Sequence, residues 1–186
     1  MKKWKGKDWF AILSPKIFGE SFLAETPATD SKYLVGRTIE VPVSHLLGDK
    51  SKNHMKLIFK VTGIDDKKAS TNFGGFFVGR EFIARNIRAG LEKLEVVDYA
   101  ETKDKWKLQL TTTAIINTNC EFTIIKKSRQ FISSFFKEAA SKSTLEEFVK
   151  NVLSSTYQKS IRKDVSKIYP IRFAEINKIE VITAGS

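Results

Sequence analysis

The spacing of apolar residues changes period along this chain, and that change constrains the fold more than any other feature. Through residues 34–118 the period is near two. Ile39, Val41 and Val43 alternate with Thr38, Glu40 and Pro42, the pattern of a half-buried strand. Pro42 cannot donate to a ladder, so it marks an edge or a strand end. Leu57, Phe59 and Val61 alternate with Lys56 and Lys60. The polar run Asp65-Asp66-Lys67-Lys68 then predicts a turn into Ala69–Phe73, which makes a hairpin. Lys93–Thr102 and Lys105–Asn117 predict a second hairpin about Lys103-Asp104. Between the two, Arg80–Ala89 reads as a helix with Phe82, Ile83 and Ile87 on its apolar face and Gly90 as its stop.

From residue 119 to 169 the period lengthens to that of helices. Ile125, Ile132, Phe136 and Ala139 form one stripe. Thr144-Leu-Glu-Glu147 has the form of a capping box, in which the Thr hydroxyl and the Glu carboxylate each satisfy an orphan amide. Leu145, Phe148, Val149, Val152 and Leu153 follow on one face. Tyr157, Ile161, Val165 and Ile168 follow on the face of a third helix that Pro170 ends. Ile171–Ile182 is long enough for a last strand. Strands, then helices, then one returning strand predict an α+β fold. Its sheet is expected to hold four or five antiparallel strands, with closure into a barrel left open. Residues 1–33, punctuated by Pro15, Gly19, Pro27 and Asp30, read as an extended basic N-terminal arm. Residues 34–186 read as a single α+β domain.

Charge narrows the partners. The 186 residues hold 32 Lys and Arg against 21 Asp and Glu, a formal charge of +11. An excess of that size implies a polyanionic partner, with nucleic acid first and an acidic membrane surface second. A membrane-surface protein needs a basic helix with a free apolar face, and the apolar faces here are expected to go to the core. No apolar run reaches the ~18–20 residues of a bilayer span. The N-terminal segment has no apolar core and no small-residue cleavage site, so it is not read as a secretory signal. The single cysteine, Cys120, forms no internal disulfide and points to a reducing compartment, taken as the cytoplasm.

Catalytic chemistry finds little footing. Cys120 with only His45 and His54 cannot supply a four-ligand Cys/His zinc site. Gly74-Gly75 with Gly79 lacks the spacing of a dinucleotide loop. The adjacent carboxylates Asp65-Asp66 diverge, and Glu146-Glu147 serve capping and the helix dipole. No cofactor, metal site or catalytic residue is expected.

Basic residues recur instead in four clusters. The first is Lys2, Lys3, Lys5 and Lys7 interleaved with Trp4 and Trp9. Cations there would neutralise phosphates and release their counterions, and the indoles would stack on unpaired bases. Arg80, Arg85 and Arg88 form the second, Lys126, Lys127 and Arg129 the third, and Lys159, Arg162 and Lys163 the fourth, within a basic run over 159–167 that ends at Lys167. All lie off the apolar stripes. No RRM signature or KH-type loop is present, which argues against a stand-alone sequence-reading module.

Several segments together resemble a known family. They are Trp4-Lys-Gly-Lys-Asp-Trp9-Phe with Ser14-Pro-Lys-Ile-Phe18, Ala24-Glu-Thr-Pro-Ala28, Leu34-Val-Gly-Arg37-Thr-Ile-Glu-Val41, Lys56-Leu-Ile-Phe-Lys60-Val and Thr71-Asn-Phe-Gly-Gly75. Arg80-Glu-Phe-Ile-Ala-Arg85-Asn-Ile-Arg88, Leu145-Glu-Glu-Phe148 and Ile168-Tyr-Pro-Ile-Arg172 complete the set. In order and spacing they resemble the small-subunit ribosomal protein family shared by archaea and eukaryotes, "S-one-e", formerly "S-three-A-e". The length is similar to that of archaeal members.

The resemblance implies a structural constituent of the small ribosomal subunit, present at one copy. It would bind small-subunit rRNA on the platform near the mRNA exit, beside neighbouring small-subunit proteins and near mRNA, in the cytoplasm and away from membranes. The residues expected to carry RNA contact are those of the four clusters. Charge alone would equally permit a free RNA-binding or translation-regulating protein outside the ribosome.

Overall fold

The computed structural model describes residues 6–117 and 121–185. The chain divides into two compact units, Met1–Gly75 and Phe76–Ser186.

The first unit contains β1 (Asp8–Leu13), β2 (Phe22–Ala28), β3 (Thr38–Pro42), the short helix α1 (Val43–Leu47), β4 (Met55–Asp65) and most of β5 (Lys68–Val78). The two predicted strands around Asp65–Lys68 form as β4 and β5. Asp66 takes the left-handed conformation their tight turn needs (φ 53°). β3 pairs antiparallel with β4, Ile39 opposite Phe59 and Val41 opposite Leu57. Val43, expected in the strand, instead opens α1 after Pro42, yet is fully buried there.

Residues 8–28, within the segment read from sequence as an extended arm, hold two strands. β1 and β2 pair antiparallel, with Trp9 opposite Pro27 and Phe10 opposite Thr26. Phe10 and Ile12 point inward and join Ala28, Leu34, Val61 and Ala69 in a core cluster. The reason is apolar alternation: burying two large side chains stabilises by roughly 1.5–3 kcal/mol each, enough to hold a short strand against the body. β1 also lies parallel to β5, Ala11 beside Lys68 and Ile12 beside Ala69. The sheet is therefore mixed, not purely antiparallel as expected. Alternation specifies which face a residue takes and says nothing of strand direction.

In this unit the strands run in the order β2-β1-β5-β4-β3. Among the described residues no strand pairing joins β2 to β3, and the sheet is not closed into a barrel. One side chain spans part of that opening. The Arg37 guanidinium donates to Thr26 Oγ1 at 2.9 Å, to the Pro27 carbonyl at 3.3 Å and to the Tyr33 carbonyl at 3.0 Å.

The second unit holds α2 (Arg80–Ala84), β6 (Leu91–Glu101), β7 (Lys107–Asn117), α3 (Phe122–Lys142), α4 (Leu145–Leu153), α5 (Thr156–Val165) and β8 (Ile171–Thr183). β6 and β7 are the predicted second hairpin, in register over 11 residue pairs. β8 returns antiparallel to β7 with three register shifts. α3 packs on β6 and α5 on β8.

The buried row of α3 is Ser128, Ile132, Phe136 and Ala140, a strict i, i+4 ridge. Ile125 and Ala139, expected in it, are only half-buried. Small residues at both ends of the ridge let the helix lie close to its neighbours. The predicted capping box forms: Thr144 Oγ1 accepts from the Glu147 amide, and Glu147 accepts from the Thr144 amide. The turn of the second hairpin meets the same junction, since Asp104 Oδ2 accepts from the Leu145 amide at 3.2 Å. The predicted helix over 80–89 is only one turn long. The Asn86 amide donates to the Phe82 carbonyl at 2.8 Å, and such local side-chain bonds compete with helix propagation. Gly90 then turns the chain into β6 at φ 79°.

Candidate nucleic-acid interface

Lys2, Lys3, Trp4 and Lys5 lie outside the described residues. Of their cluster, Lys7 is exposed and Trp9 is 55% exposed. Pleating puts Trp9 on the side of β1 opposite Phe10 and Ile12, so the indole projects outward while its neighbours anchor the strand.

The other three clusters belong to the second unit, and all nine of their residues are exposed. Arg80 begins α2, while Arg85 and Arg88 follow it around the turn; Ile83 holds the segment to the core. On α5, Lys159, Arg162 and Lys163 stand at i, i+3 and i+4 on one face, with Ile161 and Val165 buried on the other. On α3 the predicted trio separates. Lys126 and Arg129 share a face, and Lys127 is rotated about 100° from Lys126.

α3 also supplies residues that charge clustering missed. Arg129, Ser133 and Lys137 form an i, i+4 row, with Gln130 and Ser134 beside them. These five line a groove of about 400 Å³ whose other wall is Val96 and Asp98 of β6. The Ser133 hydroxyl donates to Asp98 Oδ1 at 2.5 Å, which ties α3 to β6 at this wall. Arg129 and Lys137 bracket the groove about 12 Å apart along the helix axis, eight residues at 1.5 Å each. Lys137 stands alone in sequence; only its helical register with Arg129 marks it.

Ion pairing separates these cations from the rest of the surface. Among the described residues seven ion pairs form, through Lys52, Lys56, Lys93, Lys142, Lys150, Lys167 and Lys178. None uses Arg80, Arg85, Arg88, Lys126, Lys127, Arg129, Lys159, Arg162, Lys163 or Lys137, although Lys167, at the end of the fourth basic run, pairs with Asp164. Seven acidic residues therefore pair with lysines elsewhere, and the nine second-unit cations and Lys137 are left without an ion pair. Uncompensated exposed cations set up the field that draws in a polyanion.

Other chemistry is thin. Among the described residues no group of three His, Cys, Asp or Glu side chains could hold a metal ion, and no helix is long and apolar enough to cross a membrane. Cys120 lies outside the described residues. Burial pushes the His54 imidazole below its ordinary pKa, so it adds no charge at neutral pH. Glu175, against Gln158 of α5, is pushed above the ordinary glutamate range by burial. The 2.9 Å hydrogen bond from Gln158 Nε2 opposes that shift. It faces the core, not a cleft.

The model of the Ribosomal S3Ae family matches residues 1–185. Three relatives each bear the name small ribosomal subunit protein eS1. That of Methanothermobacter thermautotrophicus is 34% identical over 96% of this chain and 92% of its own length. That of Desulfurococcus amylolyticus is 33% identical over 99% of this chain and 86% of its own. That of Sulfolobus acidocaldarius is 33% identical over 98% of this chain and 93% of its own. With the match running through both compact units and every basic cluster, the chain belongs to the Ribosomal S3Ae family.

Proposed function

We propose that this chain is a structural constituent of the small ribosomal subunit that binds small-subunit rRNA and supports translation in the cytoplasm. Family membership over the whole chain carries the reading. The role is structural and not enzymatic. Nine exposed cations in three clusters, none of them in an ion pair among the described residues, support it physically.

Affinity comes from phosphate neutralisation and counterion release, and placement comes from shape. Lys2, Lys3, Trp4, Lys5, Lys7 and Trp9 act together, the lysines on phosphates and the indoles against bases or sugars. Arg80, Arg85, Arg88, Lys126, Lys127, Arg129, Lys159, Arg162 and Lys163 carry the contacts of the second unit. Lys137 joins Arg129 along the α3 wall of the α3–β6 groove, where Gln130, Ser133 and Ser134 add neutral hydrogen-bonding groups for phosphate or ribose oxygens. Single-copy placement on the platform near the mRNA exit, beside neighbouring proteins, completes the reading.

Hydroxyl-radical footprinting of small-subunit rRNA tests it, in subunits with the chain and in subunits depleted of it. Protection confined to platform rRNA near the 3′ end is expected. An unchanged footprint would favour a free RNA-binding protein instead.

A further inference from the structure

One exposed face of the second unit is built unlike the clusters just described. On β6, Lys93, Glu95, Val97, Tyr99 and Glu101 alternate with the inward-facing Leu94, Val96 and Ala100 and are all exposed. Charges on this side balance. Lys93 pairs with Glu95 at 2.9 Å, Lys178 with Glu180 at 2.7 Å, and Glu101 stands opposite Lys107 in the ladder. Three lysines meet three glutamates, on a chain whose overall charge is +11. Between the charged ends sit Val97, 51% exposed, and Tyr99, 62% exposed. A polyanion gains nothing from a face with no net charge. A protein partner does gain, since protein interfaces are enriched in Tyr and place apolar contacts inside a polar rim.

β6 is also the terminal strand of the order β8-β7-β6. In an antiparallel pair, alternate N–H and C=O groups point away from the partner strand. Among the described residues, the one backbone hydrogen bond that β6 makes outside its ladder is from the Leu91 amide to the Arg88 carbonyl. An eleven-residue edge with an exposed Val and Tyr is a template for strand addition. We infer that an extended segment of a neighbouring small-subunit protein adds to β6 as a further strand, with Tyr99 and Val97 as its side-chain anchors. This rests on the ribosomal reading; the α3–β6 groove, lined by Arg129 and Lys137, remains the RNA side.

The test places p-benzoylphenylalanine at position 99, at 97 in a second variant and at 137 in a third, each expressed in the native cell. Purified small subunits are irradiated, then digested with ribonuclease. Hydrogen exchange of β6 amides is compared between free chain and subunit. Positions 99 and 97 are expected to give ribonuclease-resistant products of higher mass, and position 137 ribonuclease-sensitive ones. Alternate β6 amides should gain at least tenfold protection in the subunit. RNA products at 99 and 97, or unchanged β6 exchange in subunits that contain the chain, would overturn the inference. Wild-type chain absent from subunits would instead remove the ribosomal reading, and the inference with it.

Discussion

Replacing Lys126, Arg129 and Lys137 together by alanine removes three cations that form no ion pair among the described residues. If each neutralises one phosphate, counterion release gives the magnitude. The slope of log K against log salt changes by about 0.7 per phosphate on single strands and about 0.9 on a regular duplex. Three contacts therefore flatten the slope by roughly 2.1 to 2.7. Between about 50 and 200 mM salt, the wild type should lose roughly 20- to 40-fold more affinity than the variant. Filter binding to transcribed small-subunit rRNA over a KCl series measures this. The control removes equal charge from ion-paired lysines, Lys93→Ala, Lys142→Ala and Lys150→Ala. It should leave the slope within about one contact of wild type. Equal flattening by both triples would show that net charge matters and position does not. An unchanged slope in the α3 variant would refute the assignment of this helix to RNA.

Further outcomes follow from packing and titration. Phe136→Ala empties the centre of the α3 ridge and should cost about 3–5 kcal/mol in urea unfolding; a cost below about 1 kcal/mol would mean the ridge is not core. Thr144→Ala should cost about 1 kcal/mol through the lost cap, with no change in RNA affinity. Glu175 binds its proton more tightly folded than unfolded, so its contribution falls as pH rises from the ordinary glutamate range through its raised folded value. Glu175→Gln should stabilise the chain at neutral pH, gain little near about pH 4, and flatten that part of the stability profile; an identical profile would contradict it. Trp9→Ala should weaken rRNA binding with little loss of stability, because the indole is largely exposed on β1; unchanged binding would remove it from the interface.

What could be read before folding depended on whether the signal was local. The β4–β5 and β6–β7 hairpins, the Thr144–Glu147 cap and the last strand each carry their signal within a few residues, and each formed. Direction and partner choice are not local. The parallel contact of β1 with β5 joins residues more than fifty positions apart, and alternation gives no hint of it. The same limit hid the β1–β2 pair, whose Phe10 and Ile12 were overshadowed by the lysines around them. One side-chain bond from Asn86 explains why the helix over 80–89 stopped after a turn. At the interface, the basic clusters were legible as composition. The absence of ion pairs at the nine second-unit cations was not, since pairs such as Lys56–Glu40 depend on strand register. Lys137 became visible only once helix α3 placed it two turns from Arg129.

Sedimentation of the native chain from its own cell lysate, stepped from low to high salt, tests the central claim most directly. Retention at one copy per small subunit through the high-salt wash is the predicted result. Release into a free pool that meets RNA only at low salt would contradict it, leaving a family fold without the family's place in the ribosome.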